Sequence, residues 1–135
     1  MTKRLIYSFA VILLAAASVY AGQEVRAVIP FSFHVGNSLL PSGRYSADIN
    51  LVPGGVIALR SADGKSHVMA LSSSVQSSAG PTPAKLIFHR YGNEYFLFQI
   101  WDGSGDMGRE LGQSRREKEI AAAAKLSTQT VLAKR

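Results

Sequence analysis

KLIFHRYGNEYFLFQIW, residues 85–101, consists of two apolar runs on either side of Gly92-Asn93. Gly and Asn tolerate the backbone angles of a tight turn, so this segment predicts a β-hairpin. Both faces of both runs carry apolar side chains, as strands do when they are buried on both sides. We therefore expect the hairpin to lie centrally, or to have one face covered by another element.

Apolar and polar side chains also alternate in four earlier segments, at 24–33, 44–51, 56–62 and 66–75. A period of two is typical of strands, and turn residues such as Pro53-Gly54-Gly55 and Asp63-Gly64 separate these segments. With 84–91 and 94–102 they make six strands. The pattern predicts a mainly β fold, an antiparallel six-stranded meander that forms a small barrel or a β-sandwich.

A helix is predicted after the strands. Ser114-Arg115-Arg116-Glu117 is a capping-box sequence, in which the serine oxygen accepts a hydrogen bond from a free amide and the glutamate does the same in return. Four alanines, 121–124, lose little side-chain entropy in a helix. We predict a helix over 115–126 with a narrow apolar side, lying loosely on the sheet or projecting from it, and frayed residues at 127–135.

The first residues have the pattern of a secretory leader. Lys3 and Arg4 precede an apolar run at 5–19, and small residues stand at the first and third positions before a cut after Ala21. The run is shorter than the roughly twenty apolar residues of a membrane anchor. We predict a signal peptide at 1–21, a β-domain at 22–108 and a basic C-terminal helix and tail at 109–135. The protein is then exported to the periplasm or the medium, and without cysteine its core holds without disulfides.

The formal net charge of +6 is unevenly distributed. Acids and bases balance from Gly22 to Gly108, so the excess of the mature chain lies beyond Gly108. Such asymmetry indicates a contact with an anionic surface or another envelope protein, although a solvated helix has the same composition. No specific nucleic acid and no transmembrane span in the mature chain are expected. The candidate contact residues are Arg109, Arg115, Arg116, Lys118 and Lys125.

Metal-binding residue types occur without metal-binding spacing. His34, His67 and His89 lie on or beside three separate strands, where only the fold could bring them together around zinc. Asp102 and Asp106 have the spacing of a calcium loop, but the turn glycine and the final glutamate of such loops are missing. These five residues are the metal candidates. Gly103–Gly108 spells the dinucleotide pattern without the helix that it requires, which favours a connector and no cofactor.

Aromatic side chains of the hairpin are candidates for an apolar ligand pocket. Aromatic residues at period two are more often core residues, so packing is the alternative interpretation. No serine has a nucleophile-elbow pattern and no catalytic residues are indicated. The pocket candidates are Tyr91, Tyr95, Phe98 and Trp101.

Five segments resemble a group of small exported proteins common in acidobacterial genomes. They are 29–36 (IPFSFHVG), 40–45 (LPSGRY), 85–92 (KLIFHRYG), 108–111 (GREL) and 114–117 (SRRE). The resemblance implies export and a single domain, and it supplies no activity or site residues.

Together these features favour an exported, non-catalytic β-domain that binds a partner or has a structural role in the cell envelope or outside the cell. Two alternatives stay open. One is a small metal-assisted enzyme that uses the three histidines and residues 102–110. The other is a carrier of a small apolar ligand, which requires a hollow barrel.

Overall fold

The structure, a computed structural model, describes residues 24–52 and 55–135. The predicted signal peptide lies outside them. The strands are β1 (Glu24–Ile29), β2 (Phe33–Val35), β3 (Ser38–Leu40), β4 (Gly43–Val52), β5 (Val56–Ser61), β6 (His67–Leu71), β7 (Ser73–Gln76), β8 (Lys85–Tyr91), β9 (Glu94–Trp101), β10 (Met107–Glu110) and β11 (Ser127–Lys134). The helix is α1 (Arg115–Ala121). The predicted mainly β fold with a C-terminal helix is confirmed.

Eight strands close into an antiparallel barrel. β6 and β7 act as one strand with a break at Ser72, because β6 pairs with β5 and β7 pairs with β10. β10 then pairs with β9, and the order β9-β8-β11-β1-β4-β5 completes the ring. The short β2–β3 hairpin adds to β9, with His34 beside Phe96 in parallel register. Of the two predicted architectures, the molecule adopts the barrel, and with more strands than the six expected.

β11 is a full member of the barrel. It pairs with β8 on one side, from Ser127 opposite Arg90 to Leu132 opposite Lys85, and with β1 on the other. The prediction that residues 127–135 fray is therefore wrong. The alternation typical of a strand is weak in this sequence. The half-buried positions are Gln129, Val131 and Ala133, whereas the large apolar side chain of Leu132 is exposed.

Packed side chains fill the barrel. Ile29, Phe33 and Phe88 are fully buried, and the ring of Phe33 lies 5.1 Å from that of Tyr45 and 5.5 Å from that of Phe88. Such edge-on contacts are the arrangement that aromatic rings prefer. Each fully buried side chain of this size stabilises the fold by about 1.5–3 kcal/mol. These side chains belong to one hydrophobic core formed by residues from most of the strands.

Trp101 packs directly on the backbone of β10. A Cβ built on Gly108 would lie 2.7 Å from two atoms of the indole ring, so only glycine fits beneath Trp101. Gly108 is buried within a strand. The connector expected at 103–108 consequently ends two residues early, where β10 begins.

α1 is shorter than predicted, since it ends at Ala121 rather than at residue 126. It also lies closer to the sheet than its narrow apolar side suggested, because Glu117 is buried against the outer face of β8. This cover explains why the β8–β9 hairpin has apolar groups on both faces. In the part of the chain that the structure describes, no helix has the length and apolar character needed to cross a membrane.

Candidate functional site

The first turn of α1 brings a carboxylate onto the barrel wall. The side chain of Ser114 caps the helix, as its Oγ accepts a hydrogen bond from the backbone N–H of Glu117 at 3.2 Å. This is the serine half of the predicted capping box. The Glu117 carboxylate points to β8, where His89 and Tyr91 share the outer face because they are two residues apart in a strand.

Glu117, His89 and Tyr91 form what we name the Glu117 cluster. Oε2 of Glu117 lies 2.7 Å from Nδ1 of His89, and it accepts a hydrogen bond from the Tyr91 hydroxyl at 2.9 Å. Glu117 is 4% exposed, His89 8% and Tyr91 4%. A carboxylate removed from water is destabilising unless hydrogen bonds replace its hydration, and here two donors converge on one oxygen.

The tyrosine of the cluster is held in its neutral form. Burial raises the pKa of Tyr91 to about 12, and the hydrogen bond to Glu117 and the negative charge of that carboxylate act in the same direction. A hydrogen bond with Gln113 opposes them. Tyr91 is therefore a stable hydrogen-bond donor to Glu117 throughout the neutral range.

Aromatic rings surround the Glu117 cluster. The imidazole of His89 stacks on Phe98 at 3.9 Å, and Tyr91 meets Phe96 edge-on at 5.9 Å. His34 stacks on the same Phe96 at 4.4 Å. Phe96 of β9 thus lies between the two histidines, opposite His89 of β8 and beside His34 of β2.

His34 is partly sheltered beside a second carboxylate. Its Nε2 atom lies 4.0 Å from Oε1 of Glu94, which also accepts a hydrogen bond from Arg116 at 3.2 Å. Burial lowers the pKa of His34, Glu94 raises it and Arg116 lowers it further. A lowered pKa keeps this imidazole neutral at pH 7.

A carboxylate paired with an imidazole also occurs in hydrolases, where it orients the ring towards a nucleophile. Among residues 24–52 and 55–135, the hydrogen bonds of His89 include none to a serine or threonine hydroxyl. Every buried side-chain N or O atom in this part of the chain has a hydrogen-bond partner. The Glu117 cluster is suited to fastening α1 to the β8–β9 hairpin.

The structure separates the metal candidates. His34 and His89 flank β9, whereas His67 is exposed on β6, which pairs with β5. Asp102 accepts hydrogen bonds from the backbone and hydroxyl of Ser104, and Asp106 accepts one from Gln76. Within the described residues, no three His, Asp or Glu side chains are grouped closely enough to hold a metal ion.

The four aromatic pocket candidates make separate packing contacts. Tyr91 belongs to the Glu117 cluster and Phe98 stacks on His89. Tyr95 stacks on Phe31 at 3.8 Å, with the guanidinium of Arg90 5.3 Å from its ring centre. Trp101 covers Gly108. Each of these rings contacts a neighbouring side chain or backbone, as the packing interpretation predicts.

Several of the predicted contact cations are engaged within the molecule. Arg109 donates hydrogen bonds to Oγ and the carbonyl oxygen of Ser72 and to Oγ of Ser74, so it fastens β10 to the break between β6 and β7. Arg116 bonds to Glu94, and Arg115 lies 3.6 Å from Glu119. Lys118 and Lys125 are exposed.

The sequence did not reveal the Glu117 cluster, although two signals for it exist. The capping glutamate stands directly after two arginines, and His89 and Tyr91 break the apolar outer face of β8 two residues apart. Neither signal indicates that the two segments meet, because 28 residues separate Glu117 from His89. Comparisons of the chain with protein-family models, with curated proteins and with solved structures find no match.

Proposed function

We propose that this chain is an exported, non-catalytic barrel that acts through its outer surface, as a binding or structural protein of the cell envelope or the extracellular medium. The interior supports a scaffold rather than a container, because packed aromatic and aliphatic side chains occupy it. The sequence of residues 1–21 supports export.

One observation carries the proposal: the buried Glu117 side chain holds α1 on the β8–β9 hairpin through its Oε2 atom. Oε2 of Glu117 is hydrogen-bonded to both the imidazole of His89 and the hydroxyl of Tyr91. A catalytic pair needs an imidazole that faces a substrate and a nucleophile within reach. A fastened helix instead gives the barrel a fixed outer shape, which is what a contact surface requires.

Mass spectrometry of the protein purified from its exported fraction tests this proposal. The denatured mass is expected to correspond to a chain that begins at Gly22. A high-salt wash first removes ions bound to the surface. The native mass is then expected to equal the mass of the chain without ligand, or a whole multiple of that mass.

A retained leader, or a protein that stays in the cytoplasm, would contradict the export part of the proposal. A metal or organic adduct that survives the wash would favour the metal-assisted enzyme or the carrier, and its mass would identify the ligand. Glu117→Gln provides the matched control, because an adduct held at the Glu117 cluster would be lost in that variant alone.

A further inference from the structure

The outer face of β11, β1 and β4 carries a row of cations. Lys134 lies directly opposite Arg26, and Arg26 lies opposite Ser46. One step along the strands, Arg44 lies opposite Val28. We name Arg26, Arg44 and Lys134 the basic face. The basic face combines residues from β1 and β4 with one from the end of β11. Because these residues are far apart in the sequence, charge counted along the chain does not reveal the basic face.

The position of these cations does not stabilise the sheet. Like charges directly opposite each other on neighbouring strands destabilise a sheet, and Arg26 and Lys134 are such a pair. Glu24 lies 3.7 Å from Arg26 and is shared with Arg60. Among the residues described, no ion pair involves Arg44 or Lys134. Positive charge is concentrated here beyond what the neighbouring carboxylates, Glu24 and Asp48, compensate.

A cleft of about 600 Å³ lies between these cations. Val28 and Leu132 line it and are 61% and 75% exposed, the second being among the most exposed large apolar side chains of the barrel. They directly adjoin the pair Ala27 and Ala133 on β1 and β11, and both line the cleft. The face therefore combines cations that suit a phosphate group with apolar side chains that suit hydrocarbon.

The side chains of the basic face and its cleft are less suited to single-stranded nucleic acids. Single-stranded nucleic acids are held by aromatic side chains on which bases stack, in addition to cations. The aromatic residue that lines this cleft, Tyr45, is 3% exposed and bonds through its hydroxyl to the carbonyl oxygen of Pro41. Exposed aliphatic side chains among arginines and lysines are instead typical of proteins that lie on anionic membranes.

We propose that the basic face docks on an anionic phospholipid surface, with lipid phosphates at Arg26, Arg44 and Lys134 and with Val28 and Leu132 against the acyl boundary. This inference rests on the proposed function, since it names the surface and the partner class for a barrel that acts by contact. It also moves the anionic contact from the predicted helix to the barrel wall.

Cosedimentation of the purified chain, residues 22–135, with vesicles tests the inference. Binding is expected to vesicles of phosphatidylglycerol and phosphatidylcholine, with little to phosphatidylcholine alone, and it is expected to weaken as salt screens the charges. Each Lys or Arg near an anionic membrane strengthens binding about fivefold. The variant R26Q/R44Q/K134Q should thus bind about a hundredfold more weakly.

A matched control removes the same charge elsewhere. R115Q/K118Q/K125Q lowers the net charge equally but leaves the basic face intact, so its binding should stay within about twofold of that of the original chain. V28S/L132S should lower binding without a change in net charge. All the substituted side chains are solvent-exposed, and circular dichroism checks that each variant folds.

Several results would overturn the inference. They are absence of binding to anionic vesicles, equal loss in the two triple variants, and competition by inorganic phosphate as effective as that by lipid. Equal binding to single-stranded DNA or to an acidic polypeptide would also contradict it. Failure here leaves the mass-spectrometric result unaffected, so loss of the lipid contact is distinguishable from loss of the proposed function.

Discussion

Oε2 of Glu117 on α1 lies 2.7 Å from Nδ1 of His89 on β8. A short helix with few apolar contacts is thereby held on a barrel by a buried polar group. Because the carboxylate is shared with Tyr91, removal of one side chain affects three residues and the position of the helix.

The first prediction concerns this carboxylate. Glu117→Ala leaves His89 and Tyr91 buried without their acceptor and should lower the free energy of unfolding by about 3 kcal/mol. Glu117→Gln keeps an acceptor oxygen and should cost about 1 kcal/mol. Urea denaturation measures both. Glu119→Ala, at an exposed position of the same helix, is the control and should change stability by less than about 0.5 kcal/mol; equal effects at 117 and 119 would contradict the burial of Glu117.

The second prediction follows from the protonation of Tyr91. Its pKa is raised in the folded state from 10.0 to about 12, so the unfolded chain releases this proton first as the pH rises. The contribution of Tyr91 to stability is fully present below pH 10 and is lost between pH 10 and about 12.

Urea denaturation between pH 8 and pH 12 measures this loss, and Tyr91→Phe should show a smaller decline than the original chain. Burial also raises the pKa of Tyr45, so part of the decline should persist in the variant. Identical pH profiles for the two proteins would show that Tyr91 is not sheltered.

The third prediction concerns β11. Gln129 lies opposite Phe88 of β8, and its backbone N–H points to that strand, as the N–H of Ala133 does in its bond to the carbonyl oxygen of Ala84. Gln129→Pro removes this donor from the ladder between β11 and β8 and should unfold the barrel, whereas Gln129→Ala should change stability by about 1 kcal/mol or less. Thermal unfolding followed by far-UV circular dichroism separates the two. A cooperative transition in the proline variant at the original temperature would place 127–135 outside the barrel.

The fourth prediction concerns the contact between β9 and β10. A methyl group on Gly108 would meet the Trp101 ring at 2.7 Å, so Gly108→Ala should destabilise the protein by about 1–3 kcal/mol and alter tryptophan fluorescence. Nothing lies within 4 Å of a Cβ at Gly112, which makes Gly112→Ala the matched control. Equal stability of the two variants would show that Trp101 does not rest on Gly108.

The sequence was most informative where periodicity is strong. Residues 85–101 predicted a hairpin that lies centrally or has one face covered by another element, and β8 and β9 pair through Gly92-Asn93 with Glu117 of α1 against β8. Local patterns also located the helix start, because Ser114 caps α1 as its position in the sequence indicates. In both cases, the residues that interact are close in sequence.

Contacts between distant segments could not be predicted in this way. β11 has few apolar side chains, so its membership in the barrel depends on the strands on either side of it rather than on its own pattern. The Glu117 cluster and the basic face each combine residues from separate segments, and charge counted along the chain assigned the positive excess to the helix. In the folded barrel, strand pairing places Lys134 beside Arg26. Arg109, in contrast, is hydrogen-bonded to Ser72 within the barrel wall.

The pairing of β1 with β11 also sets an order of events in folding. Arg26 and Lys134 are neighbours in the barrel, yet nearly the whole described chain separates them, and closing so long a loop slows folding. The ring cannot close until residue 134 has been synthesised. Until then the earlier strands can pair only as an open sheet, in which β8 and β1 have unpaired edges that β11 later fills.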